Sequence, residues 1–144
     1  WPRNQVVADL LHEITEESSC WLAMNENQVV GFTLGYPIAS TKLLEKLVLD
    51  FRLDFYLVGY QDEICLLSPY RQNKVGKALN KRRIADFTTK GLKFVVARVR
   101  KYPEPSITFL WYTRKLGYEI LASYPGDDGR VIVGRKLADL SELL

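Results

Sequence analysis

Glu63-Ile64-Cys65-Leu66-Leu67-Ser68-Pro69-Tyr70-Arg71-Gln72-Asn73-Lys74-Val75-Gly76-Lys77-Ala78-Leu79 is the stretch on which the fold turns. An apolar, β-favouring run stops at Ser68-Pro69, a short polar turn follows, and a helix then runs from about Asn73 to Thr89, ended by Gly91. A helix entered directly from a strand points its unpaired N–H groups back across the strand end. That makes an anion site suited to a phosphate or pyrophosphate. Gly76 removes a side chain from the first turn, where a ligand backbone could come close. Lys74, Lys77 and Lys81, at i, i+3 and i+7, make one face of the helix start positive, and Arg82 and Arg83 add charge farther along. Without the turn, a solvated basic face is the readier explanation of those lysines. The apolar stripe of this helix is only fair, because Arg83 interrupts the face of Val75, Leu79 and Phe87.

On the N-terminal side, the spacing of Val7, Leu10, Leu11 and Ile14 predicts an amphipathic helix, with Pro2 near its first turn and His12 on its polar side. Cys20–Met24 and Val29–Tyr36 are β-favouring runs joined by Asn25-Glu26-Asn27, a hairpin loop. Gly31 and Gly35 within the second run mark a bulge or a close backbone approach, and Pro37 ends it. The segment Thr41 to Leu53 reads as a short helix or a long connection. Phe55 to Leu67 is β-type, with Gly59-Tyr60-Gln61-Asp62 as a candidate break.

On the C-terminal side, Phe94–Val99 is a strand, and Ser106 caps a helix that runs through Leu116 to Gly117. Tyr118–Tyr124 and Arg130–Leu137 form a last strand pair around a turn that holds Asp127 and Asp128. Those two acids serve the turn or help to receive a cationic substrate. The order is helix, hairpin, strand, helix, strand, helix, hairpin, which predicts an α/β fold: a mixed sheet with helices packed on it.

At 144 residues and 47% hydrophobic, the chain is one domain, 1–144, with enough apolar material for a core. One histidine and two separated cysteines, Cys20 and Cys65, leave no metal-ligand cluster and no disulfide framework, so no metal is expected and a reducing, cytoplasmic setting is the default. No apolar stretch is long enough to span a bilayer. The net charge of +3 is too modest to point to nucleic acid. Cys65, among Ile64, Leu66 and Leu67, reads as a buried structural cysteine before it reads as a nucleophile.

The quoted stretch resembles the acyl-CoA signature of the GNAT superfamily of N-acetyltransferases, Gln/Arg-x-x-Gly-x-Gly/Ala after a strand. Arg71 stands at its first position, Val75 at the variable one and Gly76 at the last, while Lys74 replaces the middle glycine. Trp21-Leu22-Ala23 with Val29-Val30-Gly31-Phe32 is similar to the family's second and third strands, and Arg114-Lys115-Leu116-Gly117-Tyr118-Glu119 to its Lys-Leu-Gly-Phe passage. The resemblance implies a twisted, mostly antiparallel sheet whose two central parallel strands splay apart, with flanking helices. It also implies that the chain enters at the family's second helix, without the first strand and first helix.

The activity implied is transfer of an acetyl group from acetyl-CoA to an amine of a small molecule or peptide. The alternative is a non-catalytic acyl-CoA sensor or scaffold of the same fold, and a basic nucleic-acid module ranks third. The expected partner is an amine-bearing acceptor, with a homodimer left open and neither membrane nor nucleic acid expected. By the resemblance, the amides of Gln72, Asn73, Lys74, Val75, Gly76 and Lys77 hold the pyrophosphate. Main-chain groups of Leu66 and Leu67 pair with pantetheine, and Ser106 falls where the family often has an asparagine contacting the cofactor.

Glu63 occupies the family's strand position for a carboxylate base; otherwise it is a strand-end carboxylate paired with a lysine. Its neighbour Asp62 falls on the opposite face by alternation. The family's acid is a tyrosine four residues before the glycine of Lys-Leu-Gly, a place held here by Thr113, with Tyr112 one step earlier. One residue turns a helical side chain by about 100°, so Tyr112 reads first as an aromatic packed beside Trp111. It becomes the acid if the helix shifts locally; otherwise Thr113 or water serves.

Overall fold

The structure, a computed structural model, describes residues 14–40, 54–71, 74–123, 129–141 and 143–144. The expected helix through Val7, Leu10 and Leu11, the segment 41–53, Gln72, Asn73 and the turn 124–128 lie outside the described residues.

Six strands form one sheet: β1 (Ser19–Asn25), β2 (Gln28–Pro37), β3 (Val58–Leu66), β4 (Phe94–Arg100), β5 (Glu119–Ser123) and β6 (Arg130–Lys136), in the order β1-β2-β3-β4-β6-β5. Every neighbouring pair is antiparallel except β3 and β4. Those two pair in parallel only where Val58–Tyr60 meets Phe94–Val96. Beyond that, β3 continues to Leu66 and β4 to Arg100 as diverging arms.

A bulge explains the divergence. Leu34 sits opposite Glu63 while Gly35 sits opposite Gln61, so Asp62 is an extra residue in β3. A bulge bends its strand and increases the local twist, which carries β3 away from β4. The candidate break at Gly59–Asp62 is therefore a bulge inside a continuous strand. The extra residue also resets the alternation of faces, which corrects the placement of Asp62: it lines the same cleft as Glu63. Cys65 needs a correction too, since on this diverging arm it is exposed, and both cysteines are free.

Helix α1 (Val75–Thr89) packs across β1, β2 and β3. Its Phe87 is fully buried and fills space left by two glycines on adjacent strands. A Cβ on Gly35 would lie 2.7 Å from the Phe87 ring, and one on Gly59 would lie 2.8 Å from it. Helix α2 (Ile107–Leu110) is capped by Ser106, whose Oγ accepts from the Phe109 amide at 3.1 Å.

The regular helix expected from Ser106 to Leu116 is interrupted by a π turn over Trp111–Lys115. The Thr113 hydroxyl donates to the Phe109 carbonyl at 2.8 Å, and such back-bonding competes with the helix ladder. The Leu116 amide reaches back to the Trp111 carbonyl at 3.1 Å, five residues away. Gly117, at φ +66, ends the segment. A short helix α3 (Leu137–Ser141) follows β6.

The core has a layer on each sheet face. Ile84, Phe87, Val95, Ala97, Phe109, Tyr112, Val131 and Val133 form one, and Leu34, Tyr36, Val58, Tyr60, Val96 and Ile132 the other. The alternation of Val95, Val96 and Ala97 between layers is the strand period itself. Because a methyl at position 35 would press on Phe87, on the Tyr60 carbonyl and on Arg83 Cδ at 2.9 Å, Gly35→Ala is expected to cost about 1–3 kcal/mol in denaturant unfolding.

Candidate functional site

The diverging arms of β3 and β4 frame an open cleft of about 240 Å³. Asp62 and Glu63 come from the β3 arm, Arg98 and Arg100 from β4 and Arg130 from β6, with Ser106, Thr108 and Tyr112 completing the lining. Desolvation by the cleft walls raises the Glu63 pKa above its ordinary value, and the Asp62 charge raises it further, against the pull of Arg130, Arg83 and Arg98. Its side chain still counts as exposed, so the carboxyl is crowded yet reachable. Asp62 accepts a hydrogen bond from the Tyr36 hydroxyl at 3.0 Å.

Arg83, which the sequence presents as a flaw in the stripe of α1, is fully buried. Nη1 donates to the Leu34 carbonyl at 3.0 Å and to the Glu63 carbonyl at 2.9 Å, two residues that face each other at the bulge. Nη2 donates to Asn80 Oδ1 at 2.9 Å and to the Tyr112 hydroxyl at 3.1 Å. Gln61 Nε2 also donates to Asn80 Oδ1, at 2.8 Å, and the Tyr118 hydroxyl donates to Gln61 Oε1. Burial raises the Tyr118 pKa well above its ordinary value, so that hydroxyl keeps its proton. Tyr118 stacks on Tyr112 with ring centroids 4.6 Å apart.

The position of Tyr112 follows from this. The π turn takes up one extra residue, so a side chain five places before Gly117 is brought to the cleft. Tyr112 is 2% exposed, packed between Trp111 and Tyr118, and lines the cleft as well. Its oxygen already accepts from a cation, so its own proton is left to donate. Thr113, with its hydroxyl given to the Phe109 carbonyl, does not line the cleft.

At the strand-to-helix turn, Lys74 has φ 63 and ψ 5, the left-handed conformation that a glycine adopts freely, and its side chain makes no capping bond. The first helical bond runs from the Ala78 amide to the Lys74 carbonyl at 3.0 Å, and helix geometry leaves the amides of Val75, Gly76 and Lys77 without intrahelical acceptors. A Cβ on Gly76 would meet only Leu66 Cδ1, at 3.2 Å. Arg71 Nε donates to the Leu66 carbonyl at 3.2 Å.

Leu67 is not available for strand-like pairing, which corrects that expectation. Its amide donates to the Val30 carbonyl at 2.8 Å and its carbonyl accepts from the Tyr70 amide at 2.9 Å. Strand alternation turns the main-chain groups of Leu66 to the other edge, toward the cleft. Nor do the basic residues of α1 make one surface, because Arg83 is buried and Arg82 lies 4.6 Å over the Trp21 ring.

Sequence reasoning missed Gln61, Asn80, Arg83 and Tyr118, and the arginine wall of Arg98, Arg100 and Arg130. The available signal was Asn80 and Arg83 at i and i+3 on the buried face of α1. Among the described residues, no group of His, Cys, Asp and Glu is arranged to hold a metal ion, and no helix is long and apolar enough to cross a membrane.

A model of the acetyltransferase (GNAT) family matches residues 1–118. Among solved structures, an aminoglycoside 6′-N-acetyltransferase complexed with coenzyme A superposes at TM-score 0.68 with 13% identity, over 95% of this chain and 84% of that one. A GNAT-family acetyltransferase from Staphylococcus aureus gives 0.65 and 17%, over 95% and 81%. PaiA N-acetyltransferase from Thermoplasma acidophilum, in complex with coenzyme A, gives 0.63 and 17%, over 92% and 67%. No curated protein sequence matches.

Lys74→Gly is expected to keep the turn and to stabilise the fold by about 1 kcal/mol or less, since it exchanges a strained backbone for a more flexible unfolded chain. The β-branched Lys74→Val is expected to destabilise it, by up to about 3 kcal/mol, both changes being read from urea unfolding.

Proposed function

The chain belongs to the acetyltransferase (GNAT) family and is an acyltransferase, and from that premise we propose that it moves an acetyl group from acetyl-CoA to an amine by direct attack on the thioester. The pyrophosphate lies on the amides of Val75, Gly76 and Lys77, completed by Gln72, Asn73 and Lys74, with Arg71 flanking. Pantetheine runs beside Leu66 between the arms of β3 and β4, past Ser106, and brings the thioester to Tyr112.

The acceptor first sheds its ammonium proton to solvent, and the neutral amine nitrogen bonds to the carbonyl carbon as Glu63 takes a further proton from it, directly or through a water molecule. The tetrahedral intermediate collapses, the carbon–sulfur bond breaks, and the leaving thiolate takes the Tyr112 proton. The proton gained at Glu63 balances the one lost at Tyr112, and exchange with solvent restores both. Arg83, bonded to the phenolic oxygen at 3.1 Å, stabilises the charge that develops there. No acyl-enzyme is needed, so neither cysteine takes part. Free, exposed Cys20 and Cys65 suit a reducing compartment such as the cytoplasm.

The observation that carries this reading is the joint lining of one cleft by Glu63 and Tyr112, with an uncapped helix start one turn beyond the end of β3. The raised Glu63 pKa has a direct consequence for rate. The base works only when deprotonated, so kcat/KM should climb as pH rises through a value above the ordinary carboxylate range.

Acetyl-CoA is expected to raise the melting temperature, and thiol release should then depend on added amine. Stabilisation without turnover of any amine would leave a sensor or scaffold; no stabilisation at millimolar acetyl-CoA would remove both readings. Glu63→Gln is expected to lower kcat/KM by about 100-fold or more and to flatten the acidic limb. Tyr112→Phe should lower kcat while leaving KM for acetyl-CoA close to its original value.

A further inference from the structure

We propose that the acceptor carries an anionic group near the amine that is acylated, and that Arg100 and Arg130 hold that group on the wall of the cleft facing Glu63. The proposal rests on the acetyl-transfer reading and narrows it to a substrate class.

Arg100 and Arg130 are direct cross-strand partners at the end of the β4–β6 ladder. Side chains so opposed have Cβ atoms about 4.5–5.5 Å apart, and like charges in that relation repel. Neither arginine pairs with a carboxylate among the described residues. Both line the cleft, as does Arg98, which shares their face by alternation. Two neighbouring guanidinium forks are a chelating pair for a carboxylate or a phosphate ester, either of which relieves their mutual repulsion.

The opposite wall has the complementary sign. Asp62, oriented by Tyr36, stands beside Glu63 on the β3 arm. The cleft is therefore polarised, with carboxyls on one side and guanidinium groups on the other. Arg130 lies near enough to Glu63 to be felt at its carboxyl. An ammonium drawn to Asp62 and Glu63 thus carries an anionic substituent toward Arg100 and Arg130. A polyamine places a second cation there and is repelled.

Thiol release with matched acceptors tests this: L-alanine against L-alaninamide, O-phosphoethanolamine against ethanolamine, and spermidine as the polycation. The anionic member of a pair is expected to have a kcat/KM at least about tenfold higher, and the two pairs separate carboxylate from phosphate recognition. Arg100→Gln and Arg130→Gln should each raise KM for that acceptor about tenfold or more while KM for acetyl-CoA holds, and Arg100→Lys should recover part of the loss. Calorimetry of the same amines on coenzyme A-saturated protein reads the site without turnover. Arginine-dependent binding of the anionic amines with no acetylation would uphold this proposal and overturn the catalytic reading. Preference for neutral amines or spermidine, or equal binding of the anionic amines to wild type and both glutamine variants, would overturn this proposal and leave acetyl transfer standing.

Discussion

A buried guanidinium is the constraint that the cleft depends on. The bulge at Asp62 breaks the ladder between β2 and β3, and the carbonyls of Leu34 and Glu63 on either side of it need donors. Arg83 supplies both from one nitrogen, while the other reaches Asn80 and Tyr112. One side chain of α1 thereby ties the helix, the bent strand and the π turn together. An arginine buried without a carboxylate partner among the described residues is costly to desolvate, by several kcal/mol, and its four hydrogen bonds offset that cost. Take the guanidinium away and the Leu34 carbonyl and the Tyr112 hydroxyl lose their donor at once, while the Glu63 carbonyl keeps only the Thr33 hydroxyl, at 3.1 Å.

This arrangement separates two electrostatic tasks. The start of α1 presents bare amides and a positive flank where a long anionic ligand can be anchored. Within the cleft, charge of both signs is fixed on opposing walls, and partial desolvation by those walls strengthens the interactions there. Glu63 is held between these influences: burial and Asp62 favour its neutral form, and three arginines oppose them. A base poised in that way releases and takes up a proton nearer neutrality than a solvated carboxyl does.

Much of the fold was legible in the sequence because strand period, caps and turn glycines are local signals. Ser106 as a cap, Gly117 as a helix stop and the hairpin from β1 to β2 needed only nearest neighbours. What was not legible depended on contacts distant in sequence. Arg83 looked like a break in an apolar face because periodicity counts every charge as outward, and its partners Leu34 and Glu63 lie in other strands. Asp62 was misplaced because alternation fails at a bulge, which only pairing with β2 reveals, and Cys65 because its apolar neighbours give no sign that this arm of β3 leaves β4. Leu67 was assigned to a ligand because its amide's bond to the Val30 carbonyl is tertiary and its carbonyl's bond to Tyr70 depends on a tight turn at Ser68–Tyr70. Tyr112 and Lys74 stood one step from the family pattern, at a helix shift and at a residue in a left-handed conformation.

The most direct test of the whole account is a crystal structure with coenzyme A bound. The sulfur is expected between the arms of β3 and β4, within hydrogen-bonding reach of the Tyr112 hydroxyl, and the pyrophosphate on the amides of Val75, Gly76 and Lys77. The bond from Arg83 to Tyr112 is expected to persist. A pyrophosphate held elsewhere, or a sulfur outside the cleft and away from Tyr112 and Glu63, would contradict it.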